Sequence, residues 1–82
     1  MNVYELEVRT ACPIHDGQMD LYYATIRSAS MVEVEKILAF FAAYAGQKIF
    51  QEELTMRAAT ALGAEVELVG NHSGVTVRSV FP

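Results

Sequence analysis

Hydrophobic period changes twice along this chain, from two residues to about 3.6 and back to two, and that succession leaves few folds open. Residues 3–10 alternate, with Tyr4, Leu6 and Val8 on one side and Glu5, Glu7 and Arg9 on the other, as in a half-buried strand. Turn-forming residues follow in Cys12-Pro13-Ile14-His15-Asp16-Gly17, and a second strand is predicted from Asp20 to Arg27. That strand is apolar on both sides, so one face is expected against helices and the other against a second subunit. Residues 31–45 turn helical, with Val34, Ile37, Leu38 and Phe41 on one stripe. Ser30 and Glu33 have the spacing of a capping box, and Gly46 reads as the stop. A second helix is expected from about Phe50 to Leu62, with Leu54, Ala58, Ala61 and Leu62 inward and Gly63 at its end. Two short strands, Glu65–Leu68 and Val75–Val80, then flank a turn at Gly70-Asn71-His72-Ser73-Gly74. The order strand–strand–helix–helix–strand–strand over residues 1–82 predicts one α+β domain, an antiparallel sheet with two helices on one face.

Composition bears on what surrounds such a domain. A chain this short buries only about 60–65% of its unfolded surface, yet 52% of its residues are hydrophobic and its mean hydropathy is +0.22. The excess is expected to be hidden in a homo-oligomer. No apolar run approaches the roughly 18–20 residues of a membrane span, and Met1-Asn2-Val3-Tyr4-Glu5 lacks a basic-then-apolar leader pattern, so a cytoplasmic protein is expected. The net charge is −4, and the basic residues Arg9, Arg27, Lys36, Lys48, Arg57 and Arg78 are scattered. That offers no footprint for nucleic acid and favours a small-molecule ligand. One cysteine makes no intrachain disulfide and suits a reducing compartment.

Cys12 is the first candidate for chemistry. It lies where a strand gives way to a loop, before Pro13 and near His15, Asp16 and Asp20. A neighbouring base or charge there would supply a nucleophilic thiolate, although a free cysteine is equally at home as a small buried hydrophobe. The two histidines, His15 and His72, fall in expected turns, where a solvated polar residue is the plain reading. Neither has metal-ligand spacing with Cys12, so no metal is expected. Glu33 and Glu52 both have structural reasons to exist, one as a capping-box partner and the other as a first-turn acid. Tyr22–Tyr23 and Phe40–Phe41 read as core and interface, and no glycine-rich phosphate loop is present.

Taken together, these segments resemble the tunnelling fold, the family of pterin and 7-deazapurine enzymes whose two-hairpin subunits join edge to edge into a barrel around a tunnel. Cys12-Pro13-Ile14-His15-Asp16-Gly17-Gln18-Met19-Asp20 resembles the Cys-Pro-x-(Thr/Ser)-Gly-Gln-x-Asp segment of the 7-cyano-7-deazaguanine nitrile reductases. Met31-Val32-Glu33 falls where that family has Val-Glu-Ser, and Phe50-Gln51-Glu52 falls on its Phe-His-Glu. The resemblance implies that Cys12 attacks a nitrile to form a thioimide and that Asp20 supplies protons. It also implies that Val32, Glu33, Gln51 and Glu52 bind substrate, with Glu52 anchoring the N–H edge of a guanine-like base. One extra residue separates Cys12 from Asp20, which leaves Asp16 as an alternative acid.

The departures have a direction. Where the reductases have a Ser-Lys-Ser-x-Lys run that receives NADPH, this chain has Val34-Glu35-Lys36-Ile37-Leu38, and their Arg-Gly-Gly turn is replaced by His72-Ser73-Gly74. The archaeosine-forming amidinotransferases lack the NADPH segment, and Tyr44-Ala45-Gly46-Gln47-Lys48-Ile49-Phe50-Gln51-Glu52-Glu53-Leu54 resembles their Tyr-x-Gly-x-x-Ile-Leu-His-Glu-Glu-Leu. The resemblance thus implies a cofactor-free enzyme that converts a 7-cyano-7-deazaguanine group, free or within a nucleic acid, to an amidine with ammonia. An NADPH-dependent reductase and a non-catalytic 7-deazapurine-binding subunit are the alternatives.

Overall fold

Alternation at both ends of the chain produces one antiparallel sheet. A computed structural model describes residues 1–82 and contains β1 (Asn2–Ala11), β2 (Met19–Ser28), α1 (Val34–Ala42), α2 (Gln51–Leu62), β3 (Glu65–His72) and β4 (Val75–Phe81). The strands lie in the order β1-β2-β3-β4, every neighbouring pair antiparallel. Both hairpins therefore sit side by side, and β1 and β4 are left as free edges. No helix is long and apolar enough to cross a membrane.

The helices cover one face. Val8, Tyr22, Ala24, Ile26, Val66 and Leu68 point up from the sheet to meet Ile37, Phe41, Leu54, Ala58, Ala59 and Leu62. Helix α2 rests on β3 and β4, with α1 packed beside it. The opposite face carries ion pairs rather than a second layer: Arg27 bridges Glu65 at 3.0 Å and Glu67 at 3.5 Å, and Arg78 meets Glu67 at 3.2 Å. Leu21 and Tyr23 remain half-exposed on that face.

Several sequence readings are corrected. Helix α1 begins at Val34 rather than near Met31, with Glu33 as an extended residue that makes no side-chain cap, so the Ser30–Glu33 box does not form. At this point Val32 is buried and its N–H donates to the Tyr4 hydroxyl at 3.0 Å, which ties the segment to β1 ahead of the helix. Only Ile37 and Phe41 of the predicted stripe are buried; Val34 and Leu38 are about half exposed, at 52% and 53%. In α2 the buried positions are Gln51, Leu54, Thr55, Ala58, Ala59 and Leu62, an i, i+3, i+4, i+7, i+8, i+11 series that excludes Ala61.

The second hairpin also turns later than predicted. Strand β3 runs on through Gly70 to His72, and the reversal needs only Ser73 and Gly74, whose φ values of 53° and 90° give the doubly left-handed turn that suits a two-residue hairpin. Gly70 is a packing glycine. It pairs with Tyr22, and a Cβ there would fall 2.5 Å from the Tyr22 ring. We expect Gly70→Ala to cost about 1–3 kcal/mol through overpacking, seen as a lowered urea midpoint with an unchanged m-value. A midpoint equal to wild type would show that the ring moves aside freely.

Candidate functional site

A second connection brings distant segments to one place. The residues before α2 run beside the end of β1: Ala11 bridges Lys48, and the Ala11 N–H donates to the Gln47 carbonyl at 3.0 Å. The loop after β1 is closed by the Cys12 N–H donating to the Gln18 carbonyl at 2.8 Å. Cys12 is thereby set next to the first turn of α2. A cleft of about 400 Å³ opens there, lined by Cys12, Asp20, Tyr22, Gln51, Glu52 and His72 among others. That volume lies in the range of small-molecule sites.

Four predicted residues meet in this cleft. Cys12 is 8% exposed, and its sulfur accepts the His15 N–H at 3.4 Å. Asp20 is 7% exposed; its Oδ2 accepts the Tyr22 hydroxyl at 3.2 Å, and its Oδ1 lies 3.8 Å from His72 Nδ1. Burial, reinforced by the nearby Asp20 charge, pushes the Tyr22 hydroxyl well above its ordinary range. Gln51 is buried and donates through Nε2 to the carbonyls of Leu68 and Val77, both at 2.9 Å. Glu52, one residue on, stays exposed at the cleft mouth. Among the helix-start amides, the Leu54 N–H is the first to find an intrahelical partner, the Phe50 carbonyl.

The other predicted residues lie elsewhere. Asp16 is exposed and pairs with Lys48 outside the cleft. Val32 and Glu33 sit beside the start of β1, where Asn2 pairs with Ser28, whereas Cys12 follows the Ala11–Met19 pair at the other end. Nine residues of strand separate the two ends, about 30 Å at roughly 3.3 Å per residue. Within one chain, Val32 and Glu33 do not join the Cys12 cleft.

His72 is a lining residue that the sequence alone places in a solvated turn. It ends β3, its Nε2 lies 2.8 Å from Gln51 Oε1, and its ring is tilted against Tyr22 at 5.8 Å between centroids. The signal for it is the alternation Val66, Leu68, Gly70, His72, all on the helix-covered side. A glycine in that series reads as the end of the strand, which hides it.

Tyr22 makes the electrostatics testable. Its folded-state ionisation lies above the unfolded value of about 10, so the stability it contributes is complete below that pH and is lost as pH rises past it. We expect wild-type stability to fall more steeply than that of Tyr22→Phe between about pH 10 and 12. At pH 7 the variant should be about 1–2 kcal/mol less stable for want of the Asp20 hydrogen bond. Parallel stability–pH curves for the two proteins would refute this account.

No family model matches the sequence, and neither does any curated protein. Among solved structures, the chain is similar to the crystal structure of the archaeosine synthase QueF-Like in the apo form, at 19% sequence identity and a TM-score of 0.81. The match covers 98% of this chain and 89% of that one. At that identity the likeness speaks for the fold: this chain is built as the synthase is, on the ββααββ tunnelling-fold unit that its sequence resembles.

Proposed function

We propose that the protein processes the nitrile of a 7-cyano-7-deazaguanine group, converting it to an amidine with ammonia through a Cys12 thioimide. The observation that carries this reading is the convergence of Cys12, Asp20 and Glu52, distant in sequence, on one cleft of small-molecule size. In the proposed reaction the Cys12 thiol gives its proton to solvent, and the sulfur attacks the nitrile carbon as one C–N π pair moves to nitrogen; the nitrogen takes a proton from Asp20, which solvent then reprotonates. Ammonia then adds to the thioimide carbon, the C–S bond breaks, and the thiolate recovers the proton that the new C–NH2 group sheds. A soft nucleophile suits the nitrile carbon, and a buried acid suits the developing nitrogen anion. Glu52 is suited to pair with the ring and exocyclic N–H groups of the base. Asp20 is the better placed acid, since Asp16 is exposed and held by Lys48.

The reaction is proposed to need no nicotinamide cofactor, because the acidic Glu35 stands in the first turn of α1 where the resembling reductases carry cationic residues. A homo-oligomer is part of the proposal. Antiparallel addition of a second copy's β1 to the free edge of β4 would bring the start of that β1, with its Val32 and Glu33, opposite Ser79–Phe81. On its inner side that stretch of β4 faces Phe50 and Glu52 in a groove with apolar walls. Exposed Phe50, Val80 and Phe81 would be covered in the process.

Intact-mass measurement after incubation with 7-cyano-7-deazaguanine should show one adduct on the wild type and none on Cys12→Ala. Asp20→Asn should slow its formation on the order of 10²–10⁴-fold. An equal adduct on Cys12→Ala would refute the thioimide, and NADPH consumption on adding the base would restore the reductase reading. Light scattering should give a multimer at micromolar concentration; a clean monomer would remove the intersubunit part of the proposal.

A further inference from the structure

Hydrogen-bond chemistry in the cleft fixes where one proton sits. The Gln51 carboxamide Nε2 contacts two backbone carbonyls, Leu68 and Val77, and carbonyls only accept. Its –NH2 must face them, which leaves Oε1 turned toward His72 as an acceptor. His72 Nε2, at 2.8 Å, must therefore carry a hydrogen and donate it. In the neutral ring Nδ1 is then a bare acceptor, and it looks at Asp20 Oδ1 from 3.8 Å. Two unprotonated acceptors facing each other repel, whereas a proton on Nδ1 turns the 3.8 Å approach into an ion pair with the carboxylate. The other carboxylate oxygen, Oδ2, is already engaged by the Tyr22 hydroxyl.

From this arrangement we infer that His72 is the positioning residue for Asp20: held as the Nε2–H tautomer by Gln51, it presents Nδ1 to the Asp20 carboxylate, and a proton taken up there from solvent is passed to Asp20. The inference rests on the nitrile-processing reading for its chemical use, although the pairing itself does not. The groups that face the pair are Tyr22 from β2, Cys12 from the loop after β1 and Glu52 from α2; β4 contributes only Val77 and Ser79, and no lysine or arginine lines the cleft. A protonated His72 is thus the one cation that the lining can offer to Asp20. In the first step the sulfur attacks as a thiolate and the nitrile nitrogen takes the pair's proton through Asp20. The proton that the Cys12 thiol released to water balances the addition. Half-buried His72, with 35% of its side chain exposed, then reloads the pair from solvent.

Two measurements test this, the first independent of any substrate. Long-range proton–nitrogen NMR should show His72 as the Nε2–H tautomer, with an Nδ1 shift that changes on Asp20→Asn. An Nδ1–H tautomer, or a ring indifferent to Asp20→Asn, would overturn the pairing. In the second, the rate of Cys12 adduct formation is followed across pH for wild type and His72→Gln. The variant should match wild type within about 3-fold near pH 5.5 and fall at least about 10-fold below it at pH 8, because its alkaline limb moves to lower pH. An equal loss at every pH would mark His72 as merely structural and overturn the inference. If His72→Gln does not fold, the NMR comparison decides alone. Absence of an adduct on wild type, with the NMR pairing intact, would remove the nitrile reading and leave the pairing standing.

Discussion

The site depends on one buried amide. Gln51 opens α2 and is 6% exposed, so both the N–H groups and the oxygen of its amide must be met inside the protein. Leu68 and Val77 take both N–H groups and His72 supplies the remaining donor. Those partners belong to β3 and β4, so the amide pins the start of α2 to the far hairpin while the Ala11–Lys48 bridge ties the preceding residues to the near one. Leaving a buried amide unpaired costs about 1–3 kcal/mol per group, which makes this anchor specific as well as stabilising. The position of Glu52 at the cleft mouth is set by that of Gln51, one residue before it.

The sheet that carries this site is open at both sides. Both sheet edges are open, and Phe50, Val80 and Phe81 leave apolar surface beside the cleft. Natural sheets seldom leave long edges unprotected. With antiparallel pairing throughout four strands, β1 and β4 run in opposite directions, so the two open edges match the pairing geometry that exists within the chain.

Most of the fold is legible in the sequence because it rests on periodicity. The alternation of Tyr4, Leu6 and Val8 against Glu5, Glu7 and Arg9 is reproduced in β1, and Gly63 ends α2 in the left-handed conformation at φ 62°. Local signals mislead where a long-range contact overrides them. Ser30 has the composition of a cap, but burial of Val32 and its bond to Tyr4 tie this segment to β1, and the helix starts only at Val34. Gly70 has the composition of a turn, but its missing side chain makes room for the Tyr22 ring. Of the site, the cysteine, acid and glutamate are legible as a spaced pattern, whereas the link between His72 and Asp20 is not. That link depends on how far β3 runs before turning.

The division of labour between Gln51 and Glu52 shows why such neighbours are not interchangeable. A carboxylate at position 51 would bring a charge into the sheet against two carbonyl oxygens, with no N–H to offer them, and burying an ionised group without a partner costs far more than burying an amide. A neutral amide at position 52 would still fit the exposed mouth, yet it would present both a donor and an acceptor where the carboxylate presents acceptors alone. The residue that anchors the helix to the sheet is therefore neutral and inside, and its neighbour at the cleft mouth is charged and outside. Successive residues of a helix point about 100° apart, so the first turn of α2 serves both the sheet and the cleft without any change in its backbone.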